Sequence, residues 1–129
     1  MTESKYQISV SPRALYIAEQ SDADAGRYAF AYTITITNTG AVPARLLSRH
    51  WIITDANNLV QEVKGQGVVG AQPKLKPGES FEYTSGCPLT TPSGIMVGTY
   101  AMETEAGESF DVAIPAFSLD IPNSPRQLN

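Results

Sequence analysis

Apolar and polar positions alternate along most of this chain, most plainly from Tyr28 to Ile36. Tyr28, Phe30, Tyr32, Ile34 and Ile36 share one parity and Ala29, Ala31, Thr33, Thr35 and Thr37 the other, the pattern of a strand with one large apolar face and one wetter face. Asn38-Thr39-Gly40 ends it as a turn. Tyr6, Ile8 and Val10 predict a shorter strand that breaks at Ser11-Pro12 and resumes at Leu15 and Ile17, with the proline marking an edge. From Ala44 to Asp55 both parities are apolar, Leu47, Trp51 and Ile53 on one and Leu46 and Ile52 on the other. That predicts a strand covered on both sides, with Trp51 in the core.

Asp55-Ala56-Asn57-Asn58 is a turn, Leu59 to Lys64 a short strand, and Phe81 and Tyr83 alternate with Glu82 and Thr84. After a loop from Pro88 to Gly94, Met96, Tyr100 and Met102 face one way, and Gly98 on the same side leaves room for a neighbour or marks a bulge. Glu105-Ala106-Gly107-Glu108 is a hairpin connection. Phe110, Val112 and Ile114 lie on one parity and Phe117, Leu119 and Ile121 on the other. One extra residue near Pro115 therefore bends the strand or carries it into a second sheet. Pro122 stops it, and residues 123–129 read as a loose tail.

Seven or eight short strands with Gly, Pro and Asn turns, and no helical period, predict an all-β fold of two packed antiparallel sheets. A β-barrel is the alternative. No repeat or charge block divides the sequence, so residues 1–122 form a single domain.

Gly65-Gln66-Gly67-Val68-Val69-Gly70 matches G-x-G-x-x-G, which in a dinucleotide-binding unit opens a helix whose N-terminus holds pyrophosphate. Here Gln72-Pro73-Lys74-Leu75-Lys76-Pro77-Gly78 follows at once. Its prolines remove backbone donors and push their predecessors out of the helical region, so no helix follows. The stretch reads as a glycine loop between strands.

The totals narrow the partners. The 129 residues suffice for one hydrophobic core without disulfide or metal, and 42% hydrophobic with 17% charged residues is ordinary for a globular chain. A net charge of -4 supplies no basic footprint for nucleic acid or an anionic membrane. Cys87 is the only cysteine, which excludes an internal disulfide and fits a reducing compartment. The N-terminal residues lack the order of a secretory signal and no apolar run reaches bilayer length, so cytoplasmic residence without membrane insertion is expected.

A longer series of motifs resembles the ApaG family across nearly the whole chain: Ser48-Arg49-His50-Trp51-Ile52-Ile53, Val63 to Gly70, Gln72-Pro73, Lys76-Pro77-Gly78-Glu79, Tyr83-Thr84-Ser85-Gly86, Gly94 to Tyr100, and Ile114-Pro115-Ala116-Phe117-Ser118-Leu119. The resemblance implies a fibronectin type III-like or immunoglobulin-like antiparallel β-sandwich. It also implies a bacterial protein associated with cobalt resistance and magnesium efflux, whose gene commonly neighbours one for a diadenosine tetraphosphate hydrolase. The same domain is appended to some eukaryotic F-box proteins and to a DNA polymerase δ-interacting protein.

Catalytic chemistry is thinly supplied. His50, the only histidine, lies beside Trp51 on an interior strand and reads as a partly buried polar residue. Cys87 precedes Pro88 with no cation or helix N-terminus indicated to activate it. One histidine and one distant cysteine are a poor start for a transition-metal site. Glu103, Glu105, Glu108 and Asp111 flank a hairpin tip and read as solvated carboxylates rather than a magnesium or calcium site. No cofactor is expected. These features predict a noncatalytic binding or regulatory module for an unknown protein partner, with contacts at Lys64, Gly65, Gly67, Val68, Val69 and Gly70. The alternative is a phosphate-containing small molecule, pyrophosphate or a nucleotide, held by the same glycine amides.

Overall fold

The computed structural model describes residues 7–122 as eight strands in two antiparallel sheets. Strand β1 (Ile8–Tyr16) pairs with β2 (Tyr28–Asn38), which pairs in turn with β6 (Ser80–Leu89). The second sheet runs β4 (Val60–Gln66), β3 (Ala44–Asp55), β7 (Ser93–Thr104) and β8 (Ser109–Asp120), and the two-residue β5 (Lys74–Leu75) pairs with the start of β3. This is the expected all-β sandwich. Two short 3-10 turns, Ala18–Gln20 and Ala23–Ala25, link β1 to β2. The tail at 123–129 and Tyr6 lie outside the described residues.

Parity assigns the core as read from the sequence. Phe30, Tyr32, Ile34 and Ile36 of β2 are buried, as are Met96, Tyr100 and Met102 of β7. Burying each such side chain contributes roughly 1.5–3 kcal/mol. Tyr32, Trp51 and Phe117 meet between the sheets, with the Tyr32 and Trp51 rings 5.3 Å apart and edge-on, and Trp51 and Phe117 5.9 Å apart. Such ring pairs favour this edge-to-face geometry.

Two parity switches come from bulges. On β8, Met96 pairs with Phe117 but Gly98 pairs with Ile114, so one extra residue sits beside Pro115 and both apolar runs face inward within the same sheet. On β3 the register shifts between Leu46 and Ser48. Leu46, Trp51 and Ile53 therefore all point into the core despite their opposite parities. This corrects the expectation of a strand covered on both sides: Ile52 and His50 face outward and only partly buried. Strand β6 likewise continues through Pro88 and Leu89, where the loop from Pro88 to Gly94 was expected to begin.

The strands β1 and β8 pack against each other across the sandwich. On the opposite flank β4 and β6 border their sheets, and the connection from β4 to β5 lies over the space between them.

Candidate functional site

The G-x-G-x-x-G stretch is not one loop. Gly65 and Gln66 belong to β4, and the turn proper runs from Gly67 to Ala71. Val68 and Ala71 exchange backbone hydrogen bonds of 2.8 and 2.9 Å around Val69 (φ 42) and Gly70 (φ 81). Positive φ at both central positions makes this a type I′ turn, in which Gly70 is at ease and the β-branched Val69 is strained.

Each glycine has a structural reason. A Cβ on Gly65 would lie 2.8–2.9 Å from the Arg49 guanidinium, which rests on the bare backbone there. Gly67 has φ 64, and a Cβ would stand 2.4 Å from the Ala71 carbonyl. The Gly67 amide donates to Leu47 O and the Val68 amide to Ala71 O, both at 2.8 Å. Two of the amides that an anion nest requires are thus spent inside the protein.

The predicted contact residues separate by exposure. Val69 is 58% exposed at the turn tip, and Lys64 and Gly70 are exposed too. Val68, by contrast, is wholly buried in the core, which corrects its place among the surface contacts.

Beneath the turn lies a cleft of about 370 Å³ between the inner faces of β4 and β6. Gln61, Val63 and Gln66 of β4 form one wall, Tyr83, Ser85 and Cys87 of β6 the other, with Tyr32, Trp51 and Met96 behind. Arg49 projects into it because, beyond the bulge, it shares a face with Trp51 and Ile53. Its Nη1 donates to the Gln66 carbonyl at 3.1 Å and to the Gly67 carbonyl at 2.8 Å. Sequence reasoning missed Arg49, although its two-residue spacing from Trp51 within an unbroken register places both on one face.

Burial keeps the neutral groups of this cleft protonated. The Cys87 thiol is pushed up to about 11 and the Tyr83 hydroxyl to about 12, and burial also raises Tyr32 despite its hydrogen bond with Ser85. Tyr83 and Tyr100 share a hydrogen bond of 2.5 Å between their hydroxyls. The Trp51 indole N–H is buried with no acceptor among the described residues.

His50 and Cys87 do not meet. His50 pairs with Lys64 and Thr99 on the outer face of its sheet, with Nε2 3.7 Å from a Glu62 carboxylate oxygen, whereas Cys87 faces the interior from the other sheet. A protonated thiol away from any base is a poor nucleophile. Glu105 is engaged by Lys74, which holds its carboxyl below the usual range, and among the described residues no three His, Cys, Asp or Glu side chains gather around a common point.

The border strands differ in one respect. Pro12 lies in β1, Pro88 in β6 and Pro115 in β8, but β4 contains no proline. The Asp55 amide donates to Leu59 O and the Gly67 amide to Leu47 O, at the two ends of one continuous register. Antiparallel pairing alternates, so the backbone groups of Leu59, Gln61, Val63 and Gly65 turn toward β3 and those of Val60, Glu62, Lys64 and Gln66 turn outward.

The family profile described as the ApaG domain matches residues 18–104. Protein ApaG of Thiobacillus denitrificans is 61% identical over 118 residues, covering 92% of this chain and 93% of that protein. Protein ApaG of Azorhizobium caulinodans is 56% identical over 128 residues, covering 99% and 97%. Among solved structures, a Bordetella pertussis protein described as ApaA superposes with a TM-score of 0.90 at 56% identity, over 92% of this chain and 97% of that one. An Archaeoglobus fulgidus protein shares the fold at a TM-score of 0.52 and 10% identity, over 92% and 100%.

Proposed function

The chain belongs to the ApaG domain family, and from that premise we propose that it works as a noncatalytic cytoplasmic module that binds an extended segment of a partner protein by strand addition along β4. The observation that carries this reading is the unguarded edge. Proline lies in each of the other three border strands, while β4 presents the outward amides of Val60, Glu62, Lys64 and Gln66 and the outward carbonyls of Val60, Glu62 and Lys64, that of Gln66 being taken by Arg49. Leu59 and Val60, 66% and 62% exposed, offer apolar contacts at one end of the edge, and Val69 does so at the turn beyond the other.

Strand addition needs no nucleophile or base, in keeping with the separation of His50 from Cys87. The association with cobalt resistance and magnesium efflux is then indirect, acting through the bound protein. Among the described residues no helix is long and apolar enough to cross a membrane.

Glu62→Pro tests the reading, because it deletes an outward amide and leaves the ladder to β3 intact. Proteins recovered with the wild-type chain should protect the amides of Val60, Glu62, Lys64 and Gln66 from hydrogen exchange, and Glu62→Pro should lose those proteins at unchanged fold. Leu15→Lys, on the other sheet, should retain them. Equal recovery by folded Glu62→Pro would remove β4 from the interaction.

A further inference from the structure

The cleft under the glycine turn holds a cation with no counter-ion among the described residues. Arg49 enters it from β3 and spends only part of its guanidinium donors on the carbonyls of Gln66 and Gly67. Among the described residues no carboxylate lies within ion-pair distance of it. The guanidinium is only partly buried, so two carbonyl dipoles and solvent compensate it and its remaining donors stay open to a ligand. Gly65 preserves the arrangement by leaving the guanidinium its resting place.

Trp51 supplies an apolar ring to the back of the cleft and is 1% exposed; its indole N–H is itself closed to solvent and adds no polar group to that wall. The rest of the lining is aromatic or apolar with neutral polar tips: Tyr32, Tyr83, Met96 and Ser85.

We propose that this cleft binds a small organic acid, whose carboxylate pairs with the remaining donors of Arg49 and whose apolar or aromatic body packs against Tyr32, Trp51 and Met96. Charge count selects a carboxylate over a phosphate. With the tyrosines and Cys87 protonated, Arg49 is the single charge in the cleft, matching one negative charge. Lys64 pairs with outward-facing His50 on the far side of the sheet, and Lys74 is engaged by Glu105, so neither supplies the second cation that pyrophosphate needs. A planar guanidinium also suits the two oxygens of a carboxylate. This site does not depend on strand addition at β4.

Trp51 is the chain's only tryptophan, so its indole gives a single N–H NMR resonance that reports on a ring lining the cleft. Titration of the full chain with benzoate should move that resonance saturably at millimolar concentration, while the neutral isostere benzamide should bind at least about tenfold more weakly. N-acetylphenylalanine forms a parallel arm. Saturation by it alone would keep the carboxylate site and assign it to a peptide C-terminus, while saturation by benzoate assigns it to a free acid. Arg49→Gln should weaken benzoate by at least about tenfold, and Glu62→Pro should leave it unchanged. Should Arg49→Gln fail to fold, the wild-type contrast of benzoate with benzamide decides. No saturable shift with either acid, equal binding of benzamide, or tighter binding of pyrophosphate than of benzoate would overturn the proposal.

Discussion

Replacing Val69 by asparagine should stabilise this protein, although it exchanges an apolar side chain for a polar one. Val69 has φ 42 in a turn whose next residue, Gly70, has φ 81. A left-handed conformation costs a residue with a Cβ roughly 1–2 kcal/mol, and a β-branched side chain sits at the upper end. Against that stands the burial Val69 gives up, which is small because 58% of its surface is already open. Full burial of valine contributes about 1.5–3 kcal/mol, so less than half of it amounts to roughly 0.6–1.3 kcal/mol. Asparagine tolerates the left-handed region and completes the Asn-Gly pair that type I′ turns favour. The net gain should be about 0.5–1 kcal/mol, a rise of roughly 2–5 °C in Tm. Val69→Gly relieves the same strain but loses most of the gain to the entropy of the unfolded chain, and should fall near wild type. Urea unfolding followed by circular dichroism, with an unchanged slope, gives the comparison. A midpoint for Val69→Asn at or below wild type would mean that the turn is not strained as described.

Gly98 and Gly86 make a paired test of close packing. A Cβ at Gly98 would stand 2.4 Å from the His50 carbonyl and 3.0 Å from the Trp51 ring, whereas at Gly86 the nearest atom is 3.7 Å away; Gly98→Ala should cost about 2–3 kcal/mol and Gly86→Ala less than about 0.5 kcal/mol by the same urea measurement. Alkaline pH should unfold the protein for a definite reason. Burial raises Cys87 from 9.0 to about 11 and Tyr83 from 10.0 to about 12, so the folded state holds these protons more tightly than the unfolded one. Their stabilising effect is complete below pH 9 and is lost as pH climbs through 11 and 12. A urea midpoint that stayed level from pH 8 to pH 12 would contradict the burial of both groups.

Much of the sandwich was legible because alternation reports directly on which face of a strand is buried. Strand β2 shows this at its simplest, with Phe30, Tyr32, Ile34 and Ile36 inward and Thr33, Thr35 and Thr37 bonded to β6 side chains across the outer face. The parity break near Pro115 was legible as an added residue, and pairing resolved it into a bulge within one sheet. The equivalent break at Leu47 was not legible. Apolar residues on both parities are what a doubly covered strand and a bulged strand have in common, and only pairing with β7 separates them. Arg49 was overlooked for another reason: plain parity puts it on the face of Trp51, but a charged residue there was not weighed as part of an inner cleft. The boundary of the glycine segment failed for a different reason. Glycine in a strand usually marks a weak point, and nothing local indicates that Gly65 is there to make room for a guanidinium carried by the neighbouring strand.

The three motif glycines thus solve three separate problems: a platform for Arg49, a close approach to Ala71, and the second position of a tight turn. None of them needs a bound phosphate to explain it. What they do together is fix the end of β4, whose inner residues Gln61 and Val63 face the cleft while Glu62 and Lys64 turn their backbone groups to the open edge. The Gln66 and Gly67 carbonyls that hold Arg49 lie at that same end. A strand added to β4 would stiffen the element that carries those carbonyls, and an acid seated on Arg49 would brace it from within. The two surfaces therefore share one structural part and meet at Gln66, whose carbonyl is taken by Arg49. Edge pairing at Val60, Glu62 and Lys64 uses backbone groups that the cleft does not, which is why a proline at Glu62 separates the two surfaces and a change at Gly65 does not.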